Sequence, residues 1–251
     1  MTTTPPESRK HDITTSLSEI RQKVSAATAA RGSGSGSGSG KGVTLVAVSK
    51  TKPASDLMCA YEAGQRHFGE NIQELVDKAA ELPTDINWHF IGSLQSNKCK
   101  TLCTIRNLYA VETIDSAKKA DLINKAWDDE DGKKPLRVFV QINTSGEESK
   151  SGVQPDDALP LAKHIAEKCP KLRLQGLMTI GSPERDSDPG AENPDFTLLA
   201  KVKTTLDTAH NTDLDLSMGM SDDFEQAIRQ GSTNVRVGSS IFGARSYPAK
   251  A

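Results

Sequence analysis

Short apolar runs alternate with amphipathic segments along most of this chain. The apolar runs are rich in Val, Ile and Leu, and the segments between them are too long to be hairpin turns. Nearly continuous apolar strands joined in this way are typical of a parallel sheet covered by helices. The predicted strands, in chain order, are VTLVAVS, RHFGE, NWHFIG, LYAVET, LRVFVQIN, LRLQGLMTI, LDLSMGM and NVRVGSS.

Apolar residues at helical spacing fill the intervals between these strands. The predicted helices are Ala54–Ala63, Ile72–Glu81, Ser116–Trp127, Pro155–Lys168, Phe196–His210 and Asp222–Gln230. Eight strands alternating with helices over residues 43–247 predict the α/β class and a single (β/α)8 TIM-type barrel. An open doubly wound sheet is the alternative arrangement of the same elements.

The N-terminal part of the chain is predicted to carry one more helix and a linker. An apolar stripe at helical spacing indicates a helix within the extension formed by residues 1–30. That stripe is Ile13, Leu17, Ile20 and Val24. The Gly/Ser run of residues 31–42 offers almost no side chains for packing and is predicted to be a flexible linker or loop.

Composition and charge limit the partners that we expect. The 251 residues carry a net charge of −2, and 4% are aromatic, which argues against nucleic acid or an anionic membrane surface as the main partner. No apolar run approaches the ~20 residues of a membrane span. The N-terminus resembles neither a signal peptide nor a transit peptide, so we expect a cytoplasmic protein, with mitochondrial association left open. The four cysteines lack partners at metal-ligand spacing, so we expect reduced structural thiols and no metal site.

Lys50 ends the first predicted strand. In a barrel of this kind, chemistry takes place at the carboxyl ends of the strands, an end that we call the mouth. Val46, Val48 and Lys50 share one strand face, so Lys50 projects into the mouth if the two valines point inward. The alternative is that Lys50 reaches solvent from the strand end. The first strand, taken alone, favours this alternative.

The last two strands are followed by turns of small residues. Gly219 and Ser221 lie at and just after the end of the seventh predicted strand, and Gly238 and Ser239 lie at the end of the eighth. Exposed amides and hydroxyls in these two turns are where such barrels build phosphate sites. Two ordinary capped turns are the alternative, and the aspartates directly after Ser221 weaken the case for an anion.

A lysine beside a phosphate site suggests a ligand that forms an imine. Pyridoxal 5′-phosphate and a sugar phosphate, as in an aldolase, both fit this description. Arg236 shares a strand face with Gly238, and its permanently protonated group donates to a pyridine nitrogen but accepts no proton from it. Asn71 in FGEN orients a ligand oxygen or caps a helix. His89 lies in an apolar strand and is expected to be structural.

Several segments resemble the pyridoxal phosphate homeostasis proteins, the YggS/PROSC family. They are VAVSKTKP, HFGEN, WHFIGSLQSNK, INTSGEESKSGV, GLMTIG and LSMGMSDDFEQAI followed by GSTNVRVGSSIFGAR, in the family's order. The resemblance implies a barrel like the N-terminal domain of alanine racemase, with pyridoxal 5′-phosphate on a lysine. By motif, Lys50 matches the Schiff-base lysine, and Arg236 matches the residue that faces the pyridine nitrogen.

The same resemblance implies the other cofactor-binding residues. Ser221, Gly238 and Ser239 match the phosphate-binding positions, and Met218 and Asn71 match residues that line the cofactor. One departure concerns the helix after Asn71, because the family has two residues before QE where this chain has only one. A missing residue rotates a helix by about 100°.

The family's function, carried over by resemblance, is to hold and buffer pyridoxal phosphate without turnover. The expected partners are pyridoxal phosphate itself and amino acids or cofactor-requiring apoenzymes, and a monomer is expected. A small racemase or decarboxylase of the alanine racemase-like fold is the first alternative. A lysine-imine aldolase is the second.

Overall fold

A closed barrel of eight parallel strands forms the centre of the molecule. The computed structural model describes residues 5–32, 41–128, 134–147, 149–182 and 191–244. Each strand pairs with the next along the chain, and β1 pairs with β8 to close the barrel. The strands are β1 Thr44–Val48, β2 His67–Glu70, β3 Asn87–Phe90, β4 Leu108–Ile114, β5 Leu136–Gln141, β6 Leu172–Met178, β7 Asp215–Ser217 and β8 Asn234–Val237. The barrel is therefore confirmed, and the open sheet is wrong because an open sheet leaves its edge strands unpaired.

Helices surround the barrel between these strands. They are α1 Glu7–Gly32, α2 Ala54–Glu62, α3 Ile72–Glu81, α4 Cys99–Cys103, α5 Ala117–Ala126, α6 Ala158–Lys168, α7 Pro194–His210, α8 Phe224–Arg229 and α9 Ser239–Phe242. The six predicted helices are present with small shifts at their ends. Ser239 begins a short helix, although the sequence pattern extended the eighth strand through it, because the backbone at Gly238 leaves the extended conformation.

The N-terminal helix α1 packs on the outside of the barrel. Its predicted apolar stripe is buried and contacts α2, α8 and α9. The helix continues through Gly32, two residues into the predicted linker, where Arg31 donates hydrogen bonds to the carbonyls of Ser232 and Lys41. Residues 33–40 of that linker lie outside the described residues, as do residues 245–247 at the predicted end of the barrel.

The main core lies between the outer faces of the strands and the helices, and it includes the four free, buried cysteines. They match the expected structural thiols. A much smaller apolar cluster of Ala110, Phe139 and Met178 forms separately from it. Among the described residues, no helix combines the length and the apolar character that crossing a membrane requires.

Candidate functional site

The turns after β7 and β8 are joined directly. The Gly238 amide donates to the Ser221 hydroxyl at 3.2 Å, and the Arg236 amide donates to the Gly219 carbonyl at 3.0 Å. Gly219 has φ +95°, a conformation that L side chains rarely adopt. The two turns that the sequence singled out therefore form one continuous surface of amides and hydroxyls, with exposed Ser239 at its edge.

The same surface continues to Lys50, because β8 is paired with β1. A Cβ atom placed on Gly238 would lie only 3.1 Å from the Val48 carbonyl, so the β8 turn rests directly against the end of β1. Lys50 follows two residues later, is half-buried, and donates from Nζ to the Ile91 carbonyl at 3.3 Å. The structure thus brings Lys50, Ser221 and Gly238 to neighbouring strand ends at the mouth.

Asn71 lies on the next arc of the mouth, after β2. It occupies the N-cap position of α3, but its side chain makes no capping hydrogen bond. The side chain leans over the turn after β3, where a Cβ atom on Gly92 would lie 2.6 Å from Asn71 Oδ1. Its amide oxygen is therefore placed beside the segment whose Ile91 carbonyl receives Lys50.

Met218 is placed differently from the other predicted residues. Its side chain is fully buried in the main core between strands and helices, directly below Gly219. Its backbone carbonyl accepts a hydrogen bond from the Ser232 hydroxyl at 2.7 Å. Met218 thus supports the β7 turn from behind instead of facing the open mouth, and its predicted cofactor contact stays a prediction.

Arg236 is a buried cation inside the barrel. Its guanidinium donates from Nη1 to Ser217 Oγ at 2.6 Å and from Nη2 to the Thr179 carbonyl at 2.7 Å. Burial lowers the pKa of Arg236, and the negative charges of Glu112 and Asp223 oppose that shift. The side chain is therefore held in one orientation below the β7 and β8 turns.

Glu112 supplies the opposite charge in the barrel interior. Its carboxylate accepts hydrogen bonds from Ser217 Oγ at 2.5 Å, from His89 Nδ1 at 2.6 Å and from Asn234 Nδ2 at 2.9 Å. Because β4 is not a neighbour of β7 or β8, the bonds from Ser217 and Asn234 cross the interior. Burial raises the pKa of Glu112, but the bond and charge of His89, with the charge of Arg236, outweigh it, so the net pKa is lowered.

The hydrogen bonds that join Arg236, Ser217, Glu112 and His89 form a polar chain of side chains inside the barrel. This polar chain continues to the opposite end of the barrel. His89 Nε2 and His67 Nδ1 lie 2.9 Å apart, and His67 also approaches the Asn87 amide. Burial, aided by the charges of His89 and Arg137, lowers the pKa of His67 to about 4. His89 is thus a hydrogen-bonded structural residue, as expected. One sign of these interior hydrogen bonds is visible in the sequence, which is a charged residue, Glu112, inside an apolar strand.

A second polar group, which sequence reasoning missed, surrounds the turn that carries Lys50. We call it the Lys78 cluster and define it as Ser49, Thr51, Glu70, Glu74 and Lys78. Lys78 Nζ donates to the Ser49 carbonyl at 2.9 Å, to Glu70 Oε1 at 2.5 Å and to Glu74 Oε2 at 2.8 Å. The Ser49 hydroxyl donates to Glu70 at 2.8 Å, and the Thr51 amide donates to Glu74 at 2.7 Å. The i,i+4 spacing of Glu74 and Lys78 was the available signal.

One group of potential metal ligands occurs within the described parts of the chain, between α5 and α6. It consists of Asp121, His164 and Cys169. His164 lies 2.7 Å from the Asp121 carboxylate, and the Cys169 thiol donates to the same oxygen at 3.7 Å. Burial raises the pKa of Cys169 to about 11, so the thiol stays protonated near neutral pH. The group is a hydrogen-bonded contact between two outer helices, away from the mouth.

These features define a closed (β/α)8 barrel whose mouth carries a lysine and two joined turns of small residues, with a fixed arginine below them. The chain belongs to the family described as alanine racemase, N-terminal domain, whose model matches residues 37–246. Within it, the chain belongs to the pyridoxal phosphate homeostasis proteins, as the following relatives show.

A pyridoxal phosphate homeostasis protein of Schizosaccharomyces pombe is 53% identical over 202 residues, which cover 80% of this chain and 84% of that one. The human protein of the same name is 50% identical over 215 residues, which cover 82% and 78% of the two chains. The solved structure of PipY from Synechococcus elongatus, described as having PLP bound, is similar with a TM-score of 0.73 and 28% identity. That comparison covers 92% of this chain and all of the PipY chain.

Proposed function

We propose that this chain binds pyridoxal 5′-phosphate, holds it as a Schiff base on Lys50, and acts as a monomeric carrier in cytoplasmic vitamin B6 homeostasis. The observation that carries the proposal is the placement of Lys50 beside the joined turns of Ser221 and Gly238. The names of the relatives and the PLP-bound description of PipY support the same ligand.

The residues at the mouth fit the chemistry of this cofactor. Pyridoxal phosphate supplies an aldehyde for an amine, a phosphate for hydrogen-bond donors and a pyridine nitrogen for a polar partner. Lys50 offers the amine, the Gly238 turn with Ser221 and Ser239 offers donors, and Arg236 offers a guanidinium. The covalent step balances without an oxidant: the neutral amine of Lys50 bonds to the aldehyde carbon, and the carbonyl oxygen leaves as water with both amine hydrogens.

The structure also separates Lys50 from the other lysines nearby. Lys78 Nζ is buried and engaged by a backbone carbonyl and two carboxylates, so all three of its hydrogens have acceptors. Lys52 Nζ is turned away to the Ala244 carbonyl. Lys50 Nζ donates to the neutral Ile91 carbonyl at 3.3 Å, and Lys50 lies at the mouth beside the Gly238 turn, which favours it as the amine that reacts.

We expect Lys50→Ala to lose the covalent adduct. Purified protein incubated with pyridoxal phosphate and reduced with borohydride should carry the cofactor mass on the peptide that contains Lys50. Lys50→Ala should show no reduced adduct at the mouth, and the matched control Lys52→Ala should retain it. A reduced adduct at the same site in Lys50→Ala would contradict the assignment.

Arg236 favours holding over turnover. An arginine donates to the pyridine nitrogen but does not protonate it, which leaves the ring a weaker electron sink than an enzyme of amino-acid chemistry requires. We therefore expect the loaded protein to exchange the α-hydrogen of added amino acids with deuterated water no faster than free cofactor does. Faster exchange, followed by proton NMR, would favour the racemase or decarboxylase instead.

A further inference from the structure

We propose that Glu74 and Lys78 are positioning residues that hold the turn of Lys50 from both sides and so present its amine at the mouth. This inference rests on the proposed role of Lys50 and adds two residues that bind the backbone on either side of it. The structural basis is the Lys78 cluster, whose hydrogen bonds end on the residues directly before and after Lys50.

The turn is held on its N-terminal side by Lys78. The ammonium donates to the Ser49 carbonyl, and the Ser49 hydroxyl and Lys78 meet at the same oxygen of Glu70. Both Ser49 and Glu70 are fully buried. The backbone before Lys50 is therefore bonded to β2 through Glu70 and to α3 through Lys78.

The turn is held on its C-terminal side by Glu74. Thr51 has φ +67°, the left-handed conformation that costs a residue with a Cβ atom about 1–2 kcal/mol. An unfavourable backbone conformation persists only where its surroundings hold it in place. The Glu74 carboxylate accepts the Thr51 amide, and a hydrogen bond to a charged acceptor is among the stronger ones.

The energetics of the cluster point to geometry as its role. The free energy needed to remove Lys78 and Glu70 from water offsets much of the free energy of their attraction, so this buried ion pair contributes little net stability. What such a pair does provide is a fixed arrangement of the groups bonded to it. Here those groups are the backbone atoms on either side of Lys50.

The short link between β2 and α3 places Glu74 and Lys78 beside the turn that carries Lys50. The helix begins at Ile72, immediately after Asn71, and Glu74 and Lys78 lie one turn apart on the same helix face. That face is directed at the ends of β1 and β2.

The test compares Glu74→Ala with Asp77→Ala, an exposed acidic residue of the same helix. Hydrogen exchange of the apo proteins measures how firmly the Thr51 amide is held, and stopped-flow absorbance measures the rate of adduct formation with pyridoxal phosphate. The free energy of a hydrogen bond to a carboxylate corresponds to a change of about tenfold in an equilibrium constant. We therefore expect about tenfold faster hydrogen exchange at the Thr51 amide and about tenfold slower adduct formation in Glu74→Ala. Asp77→Ala should match the wild type in both.

Glu74→Gln separates the hydrogen bond from the charge and remains informative if Glu74→Ala folds poorly. The amide oxygen still accepts the Thr51 amide, so exchange and adduct rate should stay within about threefold of the wild type. Unchanged Thr51 exchange in Glu74→Ala, or faster exchange with a wild-type adduct rate, would overturn the positioning role alone. A wild type that forms no adduct at Lys50 would overturn the proposed function and this inference together.

Discussion

At the scale of single residues, Gly219 shows how closely the mouth is packed. A Cβ atom there would lie 2.5 Å from the Ala227 Cβ and 3.0 Å from the Phe224 Cα, in addition to its positive φ. The turn can thus approach α8 only because this position has no side chain. The joining of the Ser221 and Gly238 turns depends on that approach.

We expect Gly219→Ala to destabilise the fold more than Gly231→Ala does. Both glycines have positive φ, but an added Cβ at Gly231 meets only Leu216 Cδ1, at an ordinary 3.8 Å. Gly231→Ala should therefore cost about 1–2 kcal/mol from its backbone conformation. Gly219→Ala should cost about 1–3 kcal/mol more from overpacking. Urea unfolding measures both, and equal losses would show that α8 yields to the added methyl group.

At the scale of secondary structure elements, α1 is fastened to the rest of the protein by polar contacts as well as by its apolar stripe, and Arg9 makes two of these contacts. Arg9 donates to the buried Asp56 carboxylate of α2 at 2.5 Å and to the Phe242 carbonyl at the end of α9 at 2.8 Å. One side chain thus joins a helix near the N-terminus to the helices that flank the β1 and β8 ends.

Arg9→Met should lower the free energy of unfolding by about 2 kcal/mol, because it leaves the buried Asp56 carboxylate without its charged donor. The neighbouring residue provides the control. Lys10 pairs with Glu62, and both side chains are largely exposed, so Lys10→Met should change stability little. Thermal unfolding of the two variants distinguishes them, and a loss as large in Lys10→Met would assign the effect to the helix surface charge instead.

At the scale of the whole molecule, a continuous polar chain runs through the barrel. It begins at His67 near the amino ends of the strands, passes through His89, Glu112 and Ser217, and ends at Arg236 below the mouth. Barrel interiors of this type are usually filled by apolar side chains. This interior instead contains an anion, Glu112, and a cation, Arg236, which are joined through Ser217.

His67, at one end of this polar chain, makes the free energy of unfolding depend on pH. The folded pKa of His67, about 4, is below the ordinary 6.5, so between these values the unfolded state binds a proton that the folded state does not. Stability is therefore complete near neutral pH and is lost as the pH falls from about 6.5 towards 4. Glu112 also loses stabilisation on acidification, but below its ordinary pKa of 4.5.

The expected loss is roughly 2 kcal/mol between pH 6.5 and 4.5, after allowance for the partial exposure of His67. His67→Gln should flatten this part of the profile in urea unfolding across the same range. His164→Gln, which removes a histidine from the outer surface, should leave it steep. A steep profile in His67→Gln would assign the titration to another group.

The local parts of this architecture could be predicted from sequence, and the parts that depend on distant residues could not. Alternation along β1 put Lys50 on the same face as Val46 and Val48, because strand faces repeat every two residues, although the first strand alone favoured a lysine that reaches solvent. The same alternation points Met218 away from the interior that contains Ser217. The bond between Ser217 and Glu112 joins residues 105 positions apart, and no local pattern indicates it.

Two further features were not predicted from the sequence, and each has a physical reason. The helix Ser239–Phe242 is a single turn, too short for a 3.6-residue period to appear. The contact of Lys78 with the Ser49 carbonyl depends on how α3 lies across two strand ends. A lysine in an amphipathic helix gives no sign of whether it faces solvent or a buried carboxylate.

The pairing of β1 with β8 has a consequence for the order in which this protein matures during synthesis. Lys50 leaves the ribosome long before the strand that supplies the Gly238 turn, against which the end of β1 rests. Contacts between such distant segments form slowly because a long loop must close first. A nascent chain therefore presents Lys50 long before the turns that lie beside it in the folded barrel, and binding of the proposed cofactor there would stabilise finished barrels over unfinished ones.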